Sequence, residues 1–177
     1  MNKINLFIQD YFVSSRTPEV TNFFYLITSA FDFSWVFFIL TILISILILK
    51  FKSVGYLYLF LCNIFASMTT VYLLKIIFDT ERPTNSVIDA FGASFPSYHA
   101  TISTVFFVSI FYIFKDQIQD SYKKIFGSVS FLMIFLVSFS RVYLGVHWLS
   151  DIVFGVVIGL AICYLSIHIF RANYKGL

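Results

Sequence analysis

The sequence predicts an all-α, polytopic transmembrane helix bundle, and three observations carry that prediction. Of the 177 residues, 59% are hydrophobic and 12% charged, against about 25% charged in soluble domains, and the mean hydropathy is +0.89. The apolar residues collect into runs that reach across a bilayer core of roughly 30 Å at about 1.5 Å per helical residue. The charges fall between those runs. The net charge of +3 is small and spread along the chain, so it marks no nucleic-acid surface and serves to orient the loops.

Five firm spans are expected, at residues 33–49, 54–78, 100–114, 125–140 and 149–170. Residues 20–31 are apolar but short, and they follow Arg16, Pro18 and Glu19. They form either a thin sixth span or a helix lying at the interface. A single domain is expected overall, with 1–32 as the N-terminal interfacial segment or short first span and 33–177 as the transmembrane domain. The opening stretch MNKINLFIQDYF has no long apolar core and no small-residue cleavage site, so no cleavable signal is expected.

Lys50 and Lys52, then Lys115, Lys123 and Lys124, then Arg171 and Lys175 fall on one membrane face when the spans alternate. By the positive-inside rule that face is cytoplasmic. Lys75, Arg82, His99, Arg141, His147 and Asp151 then collect on the opposite face, where cations are disfavoured. Cys62 and Cys163 fall inside spans nearer the cytoplasmic ends and are expected to be free packing residues.

The misplaced charges form three clusters. In KIIFDTERP, Lys75, Asp79 and Arg82 share one face as long as the helix persists, and Pro83 ends it. The bland account has Lys75 snorkelling and paired with Asp79 while Arg82 is solvated. In FPSYHA, Pro96 and Ser97 precede an apolar run and read as a helix start with Ser97 as N-cap. A helix N-terminus at a membrane surface is also an anion site, and His99 stands beside it. In SRVYLGVHWLSD, His147 and Asp151 are four apart, so the carboxylate is placed to fix the imidazole's tautomer and raise its basicity. Gly145 lets the chain turn between two helices. His168 lies about 21 residues of helix, roughly 30 Å, from His147 and is an interfacial residue at the other surface.

Together, cationic donors and a helix N-terminus describe a phosphate pocket, because phosphate takes several charge-assisted hydrogen bonds. Two histidines add a nucleophile and an acid. A non-catalytic transporter of anionic lipids would use the same cations, but it needs no histidine with an i+4 aspartate and a second histidine. A metal centre of His99, His147 and Asp151 is opposed by the three surrounding cations.

The three clusters resemble the signature of the type 2 phosphatidic acid phosphatase (PAP2) superfamily, which includes bacterial acid phosphatases and vanadium haloperoxidases. The match is K-x6-R-P at Lys75–Pro83, P-S-x-H at Pro96–His99 and S-R-x5-H-x3-D at Ser140–Asp151, in the family's order, over roughly residues 33–170. One letter departs: Tyr98 stands where the family has glycine, at a position that offers phosphate mainly a backbone N–H. The resemblance implies a PAP2/haloperoxidase-like core and a lipid phosphatase without metal or cofactor. It implies His147 as nucleophile oriented by Asp151, His99 as the acid, and Lys75, Arg82, Ser97, Tyr98 and Arg141 holding the phosphoryl oxygens. A phosphorylated lipid on the outer face of a bacterial inner membrane is the expected substrate, undecaprenyl pyrophosphate first. Phosphatidylglycerol phosphate, phosphatidic acid and lipid A phosphate are alternatives, and either water or a second lipid is a possible acceptor. The loop 84–95, with Phe91 and Phe95, is expected to shape substrate access.

Overall fold

Long apolar runs free of helix breakers become helices, and the breaks fall at polar caps and at the loops that carry the three clusters. The computed structural model describes residues 3–32 and 35–173. It contains α1 (Lys3–Ser15), α2 (Pro18–Ser29), α3 (Trp35–Phe51), α4 (Val54–Phe78), α5 (Tyr98–Phe114, extended by a 3₁₀ turn Lys115–Gln117), α6 (Asp120–Tyr143) and α7 (Leu149–Asn173), with no strand among the described residues.

Among the described residues, four helices are long and apolar enough to cross a membrane: α4, α5 with its extension, α6 and α7. The expected first span is α3, whose 17 residues reach about 25 Å, short of a full bilayer core. Phe33 lies outside the described residues, as does Lys175. The segment left open at 20–31 is the 12-residue α2, about 18 Å long and too short to span. It starts as its sequence dictates, with Thr17 Oγ1 accepting from the Val20 N–H and Pro18 in the first turn. Phe24 then packs it on Phe139 and Tyr143 of α6.

Helix α5 is the hub. The eight residues after Tyr98 are all buried, because α4, α6 and α7 all pack on it. Phe106 gathers Phe31, Phe37 and Phe60 around itself at ring distances of 5.8 Å. Against α7 there is no room for side chains: a Cβ at Gly159 would lie 2.8 Å from Thr104 Cβ and 2.9 Å from the Thr101 carbonyl oxygen. Gly155 sits one turn earlier, where a Cβ would lie 3.0 Å from Ala100 Cβ and from the Ser97 carbonyl oxygen, so α5 and α7 meet through small residues, the usual device for close helix contact in lipid.

The two ends of the bundle differ. At one end Gln117 Nε2 donates to the Phe51 carbonyl at 2.7 Å, and Lys115 and Arg171 both lie over the Tyr112 ring. Lys52 lies over Tyr56, and His168 stacks on Tyr164. The cationic end is therefore assembled from the residues that the sequence assigns to one face. Cys163 is buried and Cys62 is exposed on α4, both as free thiols. The opposite end carries the three clusters.

Candidate active site

The first cluster departs from its sequence reading. The helix does not run to Pro83 but stops at Phe78, because Asp79 takes a left-handed conformation (φ 35°) while its N–H returns to the Lys75 carbonyl. Aspartate is among the few residues that visit this region. Arg82 therefore leaves the helix face and enters the loop. Its Nε donates to the Gly92 carbonyl at 2.9 Å, its Nη2 to Phe91 at 3.0 Å and Ala93 at 3.2 Å, and its Nη1 to Val146 at 2.8 Å. Lys75 turns to the carbonyls of Ala93 and Ser94 rather than to Asp79. Both cations thus fold the loop 79–97 over the end of the bundle. Phe95 packs between Phe78 and Phe154, while Phe91 is 89% exposed.

The second cluster starts a helix where the sequence predicts one. Ser97 is the N-cap of α5, its hydroxyl accepting from the Ala100 N–H, and its own N–H donates to the Asp151 carbonyl at 3.2 Å. That bond ties the second cluster to the third. Tyr98 sends its ring edge-on to His99 at 5.6 Å and against the apolar core; its hydroxyl is buried without a hydrogen-bond partner among the described residues.

The third cluster is a turn followed by a cap. Gly145 (φ 76°) bends the chain after α6, and a Cβ there would stand 2.5 Å from Arg16 Nη2 and 2.6 Å from the Asn85 carbonyl oxygen. The N–H groups of Val146 and His147 both return to the Arg141 carbonyl. Asp151, in the first turn of α7, accepts from the Trp148 N–H at 3.0 Å, as a capping-box acid does. The same oxygen accepts from Ser94 Oγ at 2.5 Å and faces His147 Nδ1 at 3.4 Å.

These bonds define the imidazole. With Asp151 before Nδ1, that nitrogen carries the hydrogen, and Nε2 presents its lone pair to Arg82 Nη1 at 3.3 Å, a tautomer assigned from the bonding pattern. His147 is 2% exposed. Burial holds its proton affinity well below the usual imidazole range; the Asp151 bond opposes this, and Arg82, Arg141 and Lys75 reinforce it. Asp151 thus faces Nδ1 as the spacing predicts, while burial and three cations oppose the gain in basicity that it favours.

Several partners were not anticipated from sequence. Arg141 is 5% exposed; its Nη1 donates to Thr28 Oγ1 at 2.9 Å, and its Nε is buried with no hydrogen-bond partner among the described residues. His99 Nε2 lies 2.8 Å from Asp32 Oδ1. Burial raises the Asp32 proton affinity, but the His99 hydrogen bond and the charges of His99 and Arg141 bring it below the usual carboxylate range. Helix α1 and Arg16, the residue after it, reach the third cluster too. Gln9 Nε2 donates to the His147 carbonyl at 2.9 Å, Asn5 bonds Ser150, and Arg16 Nε donates to the Tyr143 carbonyl at 2.9 Å. A lone acid beside an apolar run was the one available signal for Asp32. Gln9 and Ser94 carried none.

The sequence model of the PAP2 superfamily matches residues 55–175. The chain belongs to the PAP2 superfamily. The matched range includes all three clusters. Two solved structures share the fold of this chain. The transmembrane PAP2 type phosphatidylglycerolphosphate phosphatase from Bacillus subtilis superposes with a TM-score of 0.87 at 22% identity, over 96% of this chain and 85% of that one. LpxE of Aquifex aeolicus superposes with a TM-score of 0.75 at 22% identity, over 94% and 96%. No match was found among curated proteins. With its four membrane-length helices, this PAP2 protein is an integral membrane protein.

Proposed function

We propose that this PAP2 protein is a metal-independent lipid phosphatase that removes phosphate from a monoester or pyrophosphate through a phosphohistidine at His147. The observation that carries the reading is the His147 geometry: Nδ1 against Asp151, and Nε2 toward the guanidinium of Arg82 at 3.3 Å. A neutral, oriented imidazole facing a cation is placed to attack phosphorus whose oxygens that cation holds. In this reading Nε2 forms a bond to phosphorus as the P–O bond to the leaving group breaks. The leaving oxygen takes a proton from His99. Water then attacks phosphorus, the P–N bond breaks, and inorganic phosphate departs.

Lys75, Arg82 and Arg141 would hold the phosphoryl oxygens, with the hydroxyl of Ser97 and the backbone N–H of Tyr98 at the α5 N-terminus. The buried Nε of Arg141, without a partner among the described residues, supports an anionic ligand, since a buried donor without an acceptor costs about 1–3 kcal/mol. Three cations supply the charge stabilisation that a divalent ion supplies elsewhere. A site at the ends of membrane-length helices suits a lipid whose phosphate stays in the headgroup layer. On the outer face of a bacterial inner membrane, undecaprenyl pyrophosphate is the first candidate. The phosphatidylglycerolphosphate named for the Bacillus subtilis neighbour is the second.

The test is phosphate release from a panel of phosphorylated lipids by purified protein, with and without EDTA, beside His147→Ala in the same detergent. Release that survives EDTA and disappears in the variant is expected. Binding of the lipids without turnover would leave a transporter of anionic lipids as the better account.

A further inference from the structure

We propose that Asp32 is a positioning residue that directs proton delivery by His99, which rests on the phosphatase reading above. Nothing in the three signature clusters contains Asp32, yet its Oδ1 stands 2.8 Å from His99 Nε2. His99 is 7% exposed, so its ring has few alternatives to the partner it has.

The fold holds the Asp32 backbone, and the side chain, 44% exposed, turns its Oδ1 to His99. The Asp32 and Phe31 N–H groups return to the carbonyls of Ser29 and Thr28, closing the end of α2. Phe31 is 2% exposed and packs on Phe106 and Phe107 of α5, the helix that carries His99. The backbone that carries the acid is therefore packed on the helix that carries the imidazole. Thr28, at the same helix end, holds Arg141, so the α2 terminus supports both an expected acid and an expected phosphate ligand.

The chemistry follows from which nitrogen is occupied. An imidazole whose Nε2–H is committed to a carboxylate keeps that hydrogen, and the proton it delivers is the one on Nδ1. As the P–O bond breaks, its electron pair stays on the leaving oxygen, which takes the Nδ1 proton. Neutral His99 keeps its Nε2–H on Asp32. When water attacks the phosphohistidine, Nδ1 accepts the water proton and the imidazolium is restored. His147 and His99 thus use opposite nitrogens: Asp151 frees Nε2 of one for attack, and Asp32 frees Nδ1 of the other for proton transfer.

The experiment compares wild type, Asp32→Asn, Asp32→Glu, His99→Ala and the Asp32→Asn/His99→Ala double variant, purified in one detergent. The substrates are a long-chain alkyl phosphate, whose alkoxide must be protonated to leave, and a nitrophenyl phosphate, whose phenolate leaves without help. General acid catalysis is worth roughly 10²–10⁴-fold, and a misdirected acid forfeits part of it. Asp32→Asn is expected to lower kcat on the alkyl ester about 10–100-fold with KM unchanged, while the aryl ester changes only a few-fold. The loss is expected to vanish in the His99→Ala background, and Asp32→Glu to recover part of it. Equal losses on both esters, a change confined to KM, or full additivity with His99→Ala would overturn the proposal. If Asp32→Asn does not fold, the alkyl-to-aryl ratio of Asp32→Glu decides in the same way. Normal rates in Asp32→Asn overturn the proposal alone, whereas a wild type that cleaves neither ester overturns the phosphatase reading with it.

Discussion

His147 offers its two ring nitrogens to opposite charges, Nδ1 to Asp151 and Nε2 to Arg82. Asp151→Asn exchanges the acceptor at Nδ1 for an amide that also donates, so the tautomer is no longer fixed. Phosphate release is expected to fall by roughly 10²–10⁴-fold, the range that loss of an oriented acid–base group costs, while circular dichroism keeps its helical signal. The acid response of stability follows from the same site. Folded His147 binds a proton less readily than the unfolded chain, whose imidazole titrates near pH 6.5. Below that pH the unfolded state takes up a proton that the folded state refuses, so stability is full above about pH 6.5 and is lost as pH falls. A thermal-unfolding series is expected to show this decline in wild type and a flatter profile in His147→Gln. Asp32 adds a later loss: its depressed affinity contributes fully above the usual carboxylate range, near pH 3.9, and fades as pH falls through its folded value.

Among the elements, the contact of α5 with α7 positions the third cluster relative to the second, because Ser97 bonds the backbone of Asp151 across it. Gly159→Ala places a methyl 2.8 Å from Thr104 Cβ and 2.9 Å from a backbone oxygen. The backbone oxygen is not free to turn aside, so the helices must separate. The change is expected to cost about 1–3 kcal/mol, read as a lower thermal midpoint in detergent, with phosphate release falling as well. The spans were legible because a membrane helix is written in composition, and the motifs because their spacing is local. Less legible was the end of α4: Pro83 is a strong stop signal, but Asp79 turned the chain four residues earlier. Least legible was α1. Asn5, Gln9 and Arg16 recur at helical spacing, but only the fold reveals that they meet carbonyls and a hydroxyl more than 120 residues away. Asp32 is a similar case, its histidine lying 67 residues on.

For the whole molecule, the two ends predict an orientation. With Cys62 and Cys163 replaced, a cysteine at Phe91, which is 89% exposed, is expected to react in intact cells with a membrane-impermeant maleimide. A cysteine at Lys123, at the cationic end, is expected to react only after permeabilisation. The reverse pattern would place the clusters on the cytoplasmic face.

The family match begins at residue 55, and four of the side chains that hold the site precede it. Gln9 supports the carbonyl of His147, Arg16 braces the turn before it, Thr28 holds Arg141, and Asp32 holds His99. A fragment trimmed to the matched residues would carry every signature letter and none of these supports. An inventory of motifs would count it complete; the histidines and Arg141 would have lost the neighbours that set their geometry.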